Sequence, residues 1–252
     1  MKHTGYLIAL LLAATVLLCS CGQSFQSGRA NVDIKVAVVT AGHGFDREPF
    51  FAMFDTMEGI DYVEVEQKDH SEIFEDISGW DYDVIVFFNM TQNITTKRQV
   101  NFQELLDEGV GVVALHHSIA AYSNWPDFQR IIGGKYYLNA MEEDGVQHEK
   151  STYKHELDMA IHVQDKRHPI TRGMSDFVIH DEAYKKCSFQ KDNRVLLTTD
   201  NPHSDKPICW VRKYSKAKVC YLQLGHDKKA YTNENYQTLI ARAIKWSAGE
   251  LK

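Results

Sequence analysis

Apolar positions along the chain fall into short unbroken runs separated by stretches with helical spacing. Residues 34–40 (IKVAVVT), 83–88 (DVIVFF) and 110–116 (VGVVALH) are nearly continuous in apolar, mostly β-branched side chains, the pattern of strands buried on both faces. Residues 62–66 alternate as a shorter strand. Between these runs, 49–57 (PFFAMFDTM) predicts an amphipathic helix with proline in its first turn, where the missing N–H costs nothing. Residues 95–108 (TTKRQVNFQELLDE) predict a second helix, opened by threonine and stopped by Gly109. Strand, helix, strand, helix, strand implies right-handed crossovers and a parallel sheet covered on both faces. The second half is more mixed. Residues 157–163, 194–199, 207–211 and 218–224 read as strands, the last two forming a hairpin that turns near Ser215. Residues 233–248 close the chain as a helix whose apolar face carries Leu239, Ile240, Ala243, Ile244 and Trp246. The expected fold class is α/β, one domain over residues 32–252 without an internal repeat.

The amino terminus has a different logic. Residues 1–20 carry an early lysine, a short apolar core and then small residues, the order of a secretory signal peptide. The apolar run 6–18 is too short to span a bilayer, which needs roughly 20 residues. Leu18-Cys19-Ser20-Cys21 resembles the lipobox of bacterial lipoproteins, in which a small residue precedes the acylated cysteine. That makes Cys21 the lipidation site, since bulky Leu18 precedes Cys19. Residues 21–31, rich in Gly, Ser and Gln, would then be a flexible tether. The expectation is a domain anchored in the bacterial cell envelope, periplasmic or surface-exposed, touching the membrane through its lipid alone.

Composition narrows the function classes further. A hydrophobic share of 44% with 25% charged residues suits a globular domain and disfavours a disordered or coiled-coil chain. The formal charge of −6 offers no field to attract nucleic acid, so no nucleic-acid partner is expected. Beyond the anchor only Cys187, Cys209 and Cys220 remain in the mature chain, too few for a disulfide scaffold or a four-cysteine zinc site. Cys209 and Cys220 lie in neighbouring strands, where two buried free thiols are the commoner arrangement.

In an open α/β sheet, ligands bind beyond the carboxyl ends of the parallel strands. Histidines sit at three such ends: His43 after the first strand, His116 and His117 after the third core strand, and His226 after the last strand in Leu224-Gly225-His226-Asp227. The strand-to-helix turn where hydrolases and amidotransferases place a serine or cysteine nucleophile carries histidine instead, in Ala114-Leu115-His116-His117-Ser118. Ser118 reads as an N-cap of the following segment. Gly42-His43-Gly44 lacks the spacing of a dinucleotide fingerprint, and Gly133-Gly134 suits a tight turn. Residues 141–156, with His148 and His155, read as a solvated excursion, or as a flap over the pocket.

Several separated motifs together carry a family resemblance. Ala114 to Ser118, Asn124-Trp125-Pro126 leading to Gly133-Gly134-Lys135-Tyr136, residues 165–173 (DKRHPITRG), Asp181-Glu182-Ala183-Tyr184 and Leu224 to Asp227 occur in the order found in the ThuA-like family, named for trehalose utilisation. The resemblance extends from Lys35 to Gly249. It implies a flavodoxin-like fold, similar to class I glutamine amidotransferases but without their cysteine nucleophile. It also implies a role in bacterial carbohydrate use beside partner sugar dehydrogenases, and it places Glu182 at the pocket. The family's first loop is commonly histidine-rich, whereas here only His43 is available. The catalytic candidates are His43, His116, His117, Glu182 and His226, with Asp227 orienting His226. Trp125 and Tyr184 are candidate platforms for a small carbohydrate. A carboxylate with several histidines is also a ligand set for zinc or another divalent ion, drawn from His43, His116, Glu182 and His226. Metal-assisted chemistry, histidine acid/base chemistry and non-catalytic sugar binding all remain open at this level.

Overall fold

The three long apolar runs become adjacent strands of one sheet. The computed structural model describes Met1 and residues 33–143 and 145–252, so the expected signal peptide, Cys21 and the tether lie outside the described residues. In chain order the elements are β1 (Ile34–Ala41), α1 (Arg47–Asp55), β2 (Ile60–Glu66), β3 (Val84–Asn89), α2 (Thr96–Glu108), β4 (Gly111–Leu115), α3 (Pro126–Ile132), β5 (Gly134–Lys135), β6 (Met141–Glu143) and β7 (Val146–His148). They continue with β8 (Thr152–Val163), β9 (Phe177–Lys185), β10 (Ser188–Phe189), β11 (Arg194–Thr199), β12 (Pro207–Tyr214), β13 (Ala217–Leu222), α4 (Lys228–Tyr231) and α5 (Glu234–Ser247). Nine strands form one sheet in the order β2-β1-β3-β4-β13-β12-β11-β8-β9. Pairing is parallel from β2 to β13 and antiparallel from β13 to β9. Among the described residues no helix is long and apolar enough to cross a membrane.

The pleat sorts the buried runs into two cores. Val84, Val86 and Phe88 of β3 join Val113 and Leu115 of β4 under α1 and α5, while Ile85, Phe87, Val112 and Ala114 face α2 and α3 on the other side. Such double burial is why these segments read as unbroken apolar runs. Local signals end the helices as expected. The Thr95 side chain accepts from Arg98 N–H at the start of α2, and Gly109 closes that helix at φ 103 in the left-handed region. Asn233 caps α5 by accepting from the N–H groups of Asn235 and Tyr236.

Besides the short β5, β6, β7, β10 and α4, two longer elements escape the sequence pattern. Strand β9 carries His180, Asp181 and Glu182 at its middle, which breaks the apolar alternation, and α3 has only seven residues, too few for a periodic signal. Strand β8 starts at Thr152, so residues 152–156 are strand, not loop. Cys209 and Cys220 are buried free thiols, two residues out of register: Cys209 pairs with Leu222 and Cys220 with Val211.

Candidate functional site

The parallel strands β1, β4 and β13 end at one rim, and β9, the edge strand of the antiparallel half, delivers a carboxylate to it. At the end of β4 the backbone of His116 turns to φ 48, a left-handed conformation that strains a residue with a Cβ. Two bonds hold the turn. His116 Nδ1 lies 2.7 Å from the Gln223 carbonyl, which can only accept, so this nitrogen carries the proton; the Tyr221 hydroxyl donates to the His116 carbonyl at 3.0 Å. The ring is therefore presented with Nε2 free to face the site.

Asp181 and Glu182 are successive on β9 and act on different partners. The buried Asp181 carboxylate accepts from three backbone N–H groups, those of Glu182 at 2.8 Å, Gly225 at 2.7 Å and His226 at 2.9 Å. It thereby ties the loop after β13 to β9. Glycine is required in that loop, because Gly225 has φ 117 and a Cβ there would overlap the Tyr236 hydroxyl. Burial raises the Asp181 pKa above its ordinary value, even though the three N–H donors favour the charged form.

The result is a convergence of three ligand-type atoms. His116 Nε2 is 3.0 Å from Glu182 Oε2, Glu182 Oε2 is 3.2 Å from His226 Nδ1, and the two histidine nitrogens are 3.4 Å apart. Burial resists ionisation of Glu182, but the adjoining His116 and His226 rings outweigh it and hold the carboxyl well below its usual range. The Glu182 hydrogen bond in turn raises His226. Three lone-pair-bearing atoms this close need a positive charge among them, a proton or a cation. Donors about 2.1 Å from one ion, at right-angle to tetrahedral spacing, stand roughly 3.0–3.4 Å apart, so the set fits a divalent metal. Among the described residues these three form a metal-type cluster. His43 is not a member of it.

Above the cluster opens a pocket of about 320 Å³, within the roughly 300–1,000 Å³ usual for small-ligand sites. Glu182 and Tyr184 line it from β9, His43 and His117 from the ends of β1 and β4, and Ile119, Tyr136 and Leu138 add an apolar side. The Tyr184 hydroxyl donates to His116 Nε2 at 2.9 Å. His43 and His117 stack with ring centroids 4.5 Å apart, and neither ring nitrogen of the buried His117 has a hydrogen-bond partner among the described residues. Burial, reinforced by repulsion from His116 and His43, drives the His117 pKa well below its ordinary value. Desolvation lowers His43 as well.

His155 enters from the strand β8. Lys154 pairs with Ala183 and Leu157 with Asp181, so His155 and Glu156 both oppose Glu182 in a β-bulge. The bulge, with Glu156 at φ 56, sends the two side chains apart: His155 Nδ1 lies 3.3 Å from Glu182 Oε1, while Glu156 pairs with His180 and Lys229. Residues 150, 153 and 155 line the pocket, so this end of the polar stretch is part of the site and not a purely solvated excursion.

Three sequence-derived assignments require correction. Trp125, which precedes α3, packs against Phe102 and Phe128 in the core beside α2 and α3, outside this pocket, where apolar burial holds the indole. Asp227 does not orient His226; its side chain caps α4 by accepting from Lys229 N–H, and the orienting groups are Glu182 and Asp181. Ser118 is not an N-cap, since it lies inside the 3-10 turn His116–Ala120 with its hydroxyl unpartnered among the described residues. Asp181 is the contributor that sequence reasoning passed over, and His155, noted there only within a polar excursion or flap, is a second one outside the candidate set. Asp181 stood in a quoted motif, and its burial between two charged-residue neighbours was the missing information.

A histidine-and-glutamate pocket at the carboxyl rim of a mostly parallel sheet, with no cysteine at the strand-to-helix turn, defines a flavodoxin-like, amidotransferase-like protein without that family's nucleophile. The chain belongs to the ThuA family: residues 35–247 match its model, described as trehalose utilisation. No curated protein sequence matches the chain significantly. Among solved structures it is similar to a ThuA-like protein from Parabacteroides merdae, with 21% identity and TM-score 0.74 over 87% of this chain and 92% of that one. A ThuA-like protein from Bacteroides uniformis shares 20% identity with TM-score 0.61, covering 90% and 97%. A cytoplasmic protein from Salmonella typhimurium LT2 shares 14% with TM-score 0.59, covering 85% and 99%. At these identities the likeness concerns the fold.

Proposed function

We propose that the protein acts on a carbohydrate, a keto-sugar or glycoside intermediate, with a divalent cation such as zinc held by His116, Glu182 and His226. The observation that carries the reading is the convergence of His116 Nε2, Glu182 Oε2 and His226 Nδ1 within 3.4 Å. A cation bound there supplies Lewis-acid polarisation of a sugar carbonyl or hydroxyl oxygen. The chain's own groups support this use. The Gln223 carbonyl fixes the His116 tautomer, as a hydrogen-bond acceptor on the far ring nitrogen does for metal-binding histidines, and Asp181 holds the backbone that carries His226. His117, kept neutral by burial, and the more exposed His43, whose pKa is also lowered, are bases that face the pocket. Once a cation takes the His116 Nε2 lone pair, the Tyr184 hydroxyl beside it is released to donate a hydrogen bond to a sugar oxygen. The family's description, trehalose utilisation, supports a sugar as the substrate class. Sugar dehydrogenases that oxidise a pyranose hydroxyl are the partner enzymes this reading expects upstream. We also propose that the protein works in the bacterial envelope, tethered through Cys21.

The test is elemental analysis of the mature protein, purified without chelator or affinity-tag histidines, beside His116→Ala. The expected result is about one divalent ion per chain, lost in the variant. Turnover of a panel of glycosides and keto-sugars should fall with it, and also in Glu182→Ala. A metal-free parent would remove the cation from the reading and leave histidine acid/base chemistry. Turnover unchanged in both variants would sink the site itself, and sugar binding without any product would point to a non-catalytic carbohydrate-binding protein.

A further inference from the structure

The chemistry above uses the floor of the pocket and leaves its mouth unexplained. Tyr153 lines the mouth, yet its side chain is 60% exposed, a large apolar ring standing in water at the edge of a polar site. Strand pairing fixes its position. Tyr153 is the direct cross-strand partner of Tyr184 in the β8–β9 ladder, and its ring meets His155 edge-on at 5.0 Å. One end of the strand pair therefore reaches the catalytic floor through Tyr184 and Glu182, while the neighbouring position presents a free aromatic face outward. Lys150, two residues before the start of β8, lines the same mouth and brings three N–H donors.

Size adds the second constraint. At about 320 Å³ the pocket is at the low end for small-ligand sites, roughly 300–1,000 Å³, and it is open on one side, so a second sugar ring would lie towards that open side, where Tyr153 stands. The axial face of a pyranose is a patch of C–H bonds flanked by hydroxyls, which matches a tyrosine ring for stacking and an ammonium for hydrogen bonding. We infer that Tyr153 is the platform for a second sugar ring, with Lys150 donating to its hydroxyls, and that the protein prefers a two-ring glycoside over a free monosaccharide. This inference rests on the carbohydrate reading of the site.

Calorimetry with the full mature chain tests it, using glucose, trehalose and cellobiose as probes. At least one disaccharide should bind about tenfold more tightly than glucose, the factor expected of one added aromatic contact. Tyr153→Ala should bring that ratio close to one while glucose affinity and metal content stay as in the parent. Tyr153→Trp should retain the preference, which separates stacking from any effect on folding. A disaccharide preference that persists in Tyr153→Ala, or an equal loss for glucose and disaccharide, would overturn the platform while leaving the sugar site standing. Failure of all three sugars to bind the parent would remove the carbohydrate reading, and the platform with it.

Discussion

Removing the Asp181 carboxylate tests the architecture of the site most directly, because this side chain touches none of the reacting groups and yet holds two of the site's segments together. It accepts at 2.7, 2.8 and 2.9 Å from the N–H groups of Gly225, Glu182 and His226. A hydrogen bond to a charged group contributes roughly 1.5–3 kcal/mol, and a buried donor left without a partner costs about 1–3 kcal/mol. These losses overlap, so Asp181→Ala is expected to destabilise the fold by about 4 kcal/mol in total. For a chain of this length, 1 kcal/mol corresponds to roughly 2–4 °C, which places the thermal midpoint about 8–16 °C lower. Asp181→Asn separates geometry from charge. Oδ1 serves both Glu182 and His226, so an amide oxygen there keeps two bonds, while the amide NH₂ meets the Gly225 N–H donor to donor. The expected loss for asparagine is about half, near 2 kcal/mol. Urea unfolding at pH 7 with chelator present measures both variants without any contribution from metal linkage. Metal affinity, measured separately, should fall about 10- to 100-fold in either variant as His226 loses its support. An Asp181→Ala protein within about 0.5 kcal/mol of the parent would refute the reasoning, as would asparagine proving no better than alanine.

Two further predictions concern other parts of the chain. Burial holds His168 neutral down to a pKa of about 4, whereas the unfolded ring protonates near 6.5, so the unfolded state binds the extra proton in between. This ring's stabilising contribution is complete above about pH 6.5 and is lost as pH falls towards 4, by about 3 kcal/mol. His168→Asn should flatten that part of the stability–pH profile, and a slope identical to the parent's would contradict the assignment. At the amino terminus, the parent expressed in a bacterium should incorporate labelled palmitate and sediment with membranes, whereas Cys21→Ser should do neither. Continued labelling of Cys21→Ser, with loss in Cys19→Ser, would move the anchor.

Much of the scaffold was readable because burial on both faces leaves a strong local mark. Runs such as 34–40 and 83–88 can satisfy their apolar content only between two layers of helices, and Thr95, Gly109 and Asn233 bound their helices through bonds to residues two to four positions away. Histidines at the ends of β1, β4 and β13 were legible for a similar reason: parallel strands must end at one rim. Strand β9 was harder to see, because the residues that give it a function interrupt its apolar alternation.

What the tertiary structure alone decided is which of those side chains meet, and in what protonation geometry. His116, Glu182 and His226 are distant in sequence, and only the order of β4, β13 and β9 in one folded sheet, with Asp181 bonded to the Gly225–His226 backbone, brings their ligand atoms within 3.4 Å. The same packing withdrew Trp125 into the core, turned Asp227 into a helix cap and brought His155 in through a bulge. A strand or a cap is determined by neighbours along the chain, so its signal survives in one dimension. A site is determined by long-range contacts whose partners have no fixed spacing, and local pattern carries little record of them.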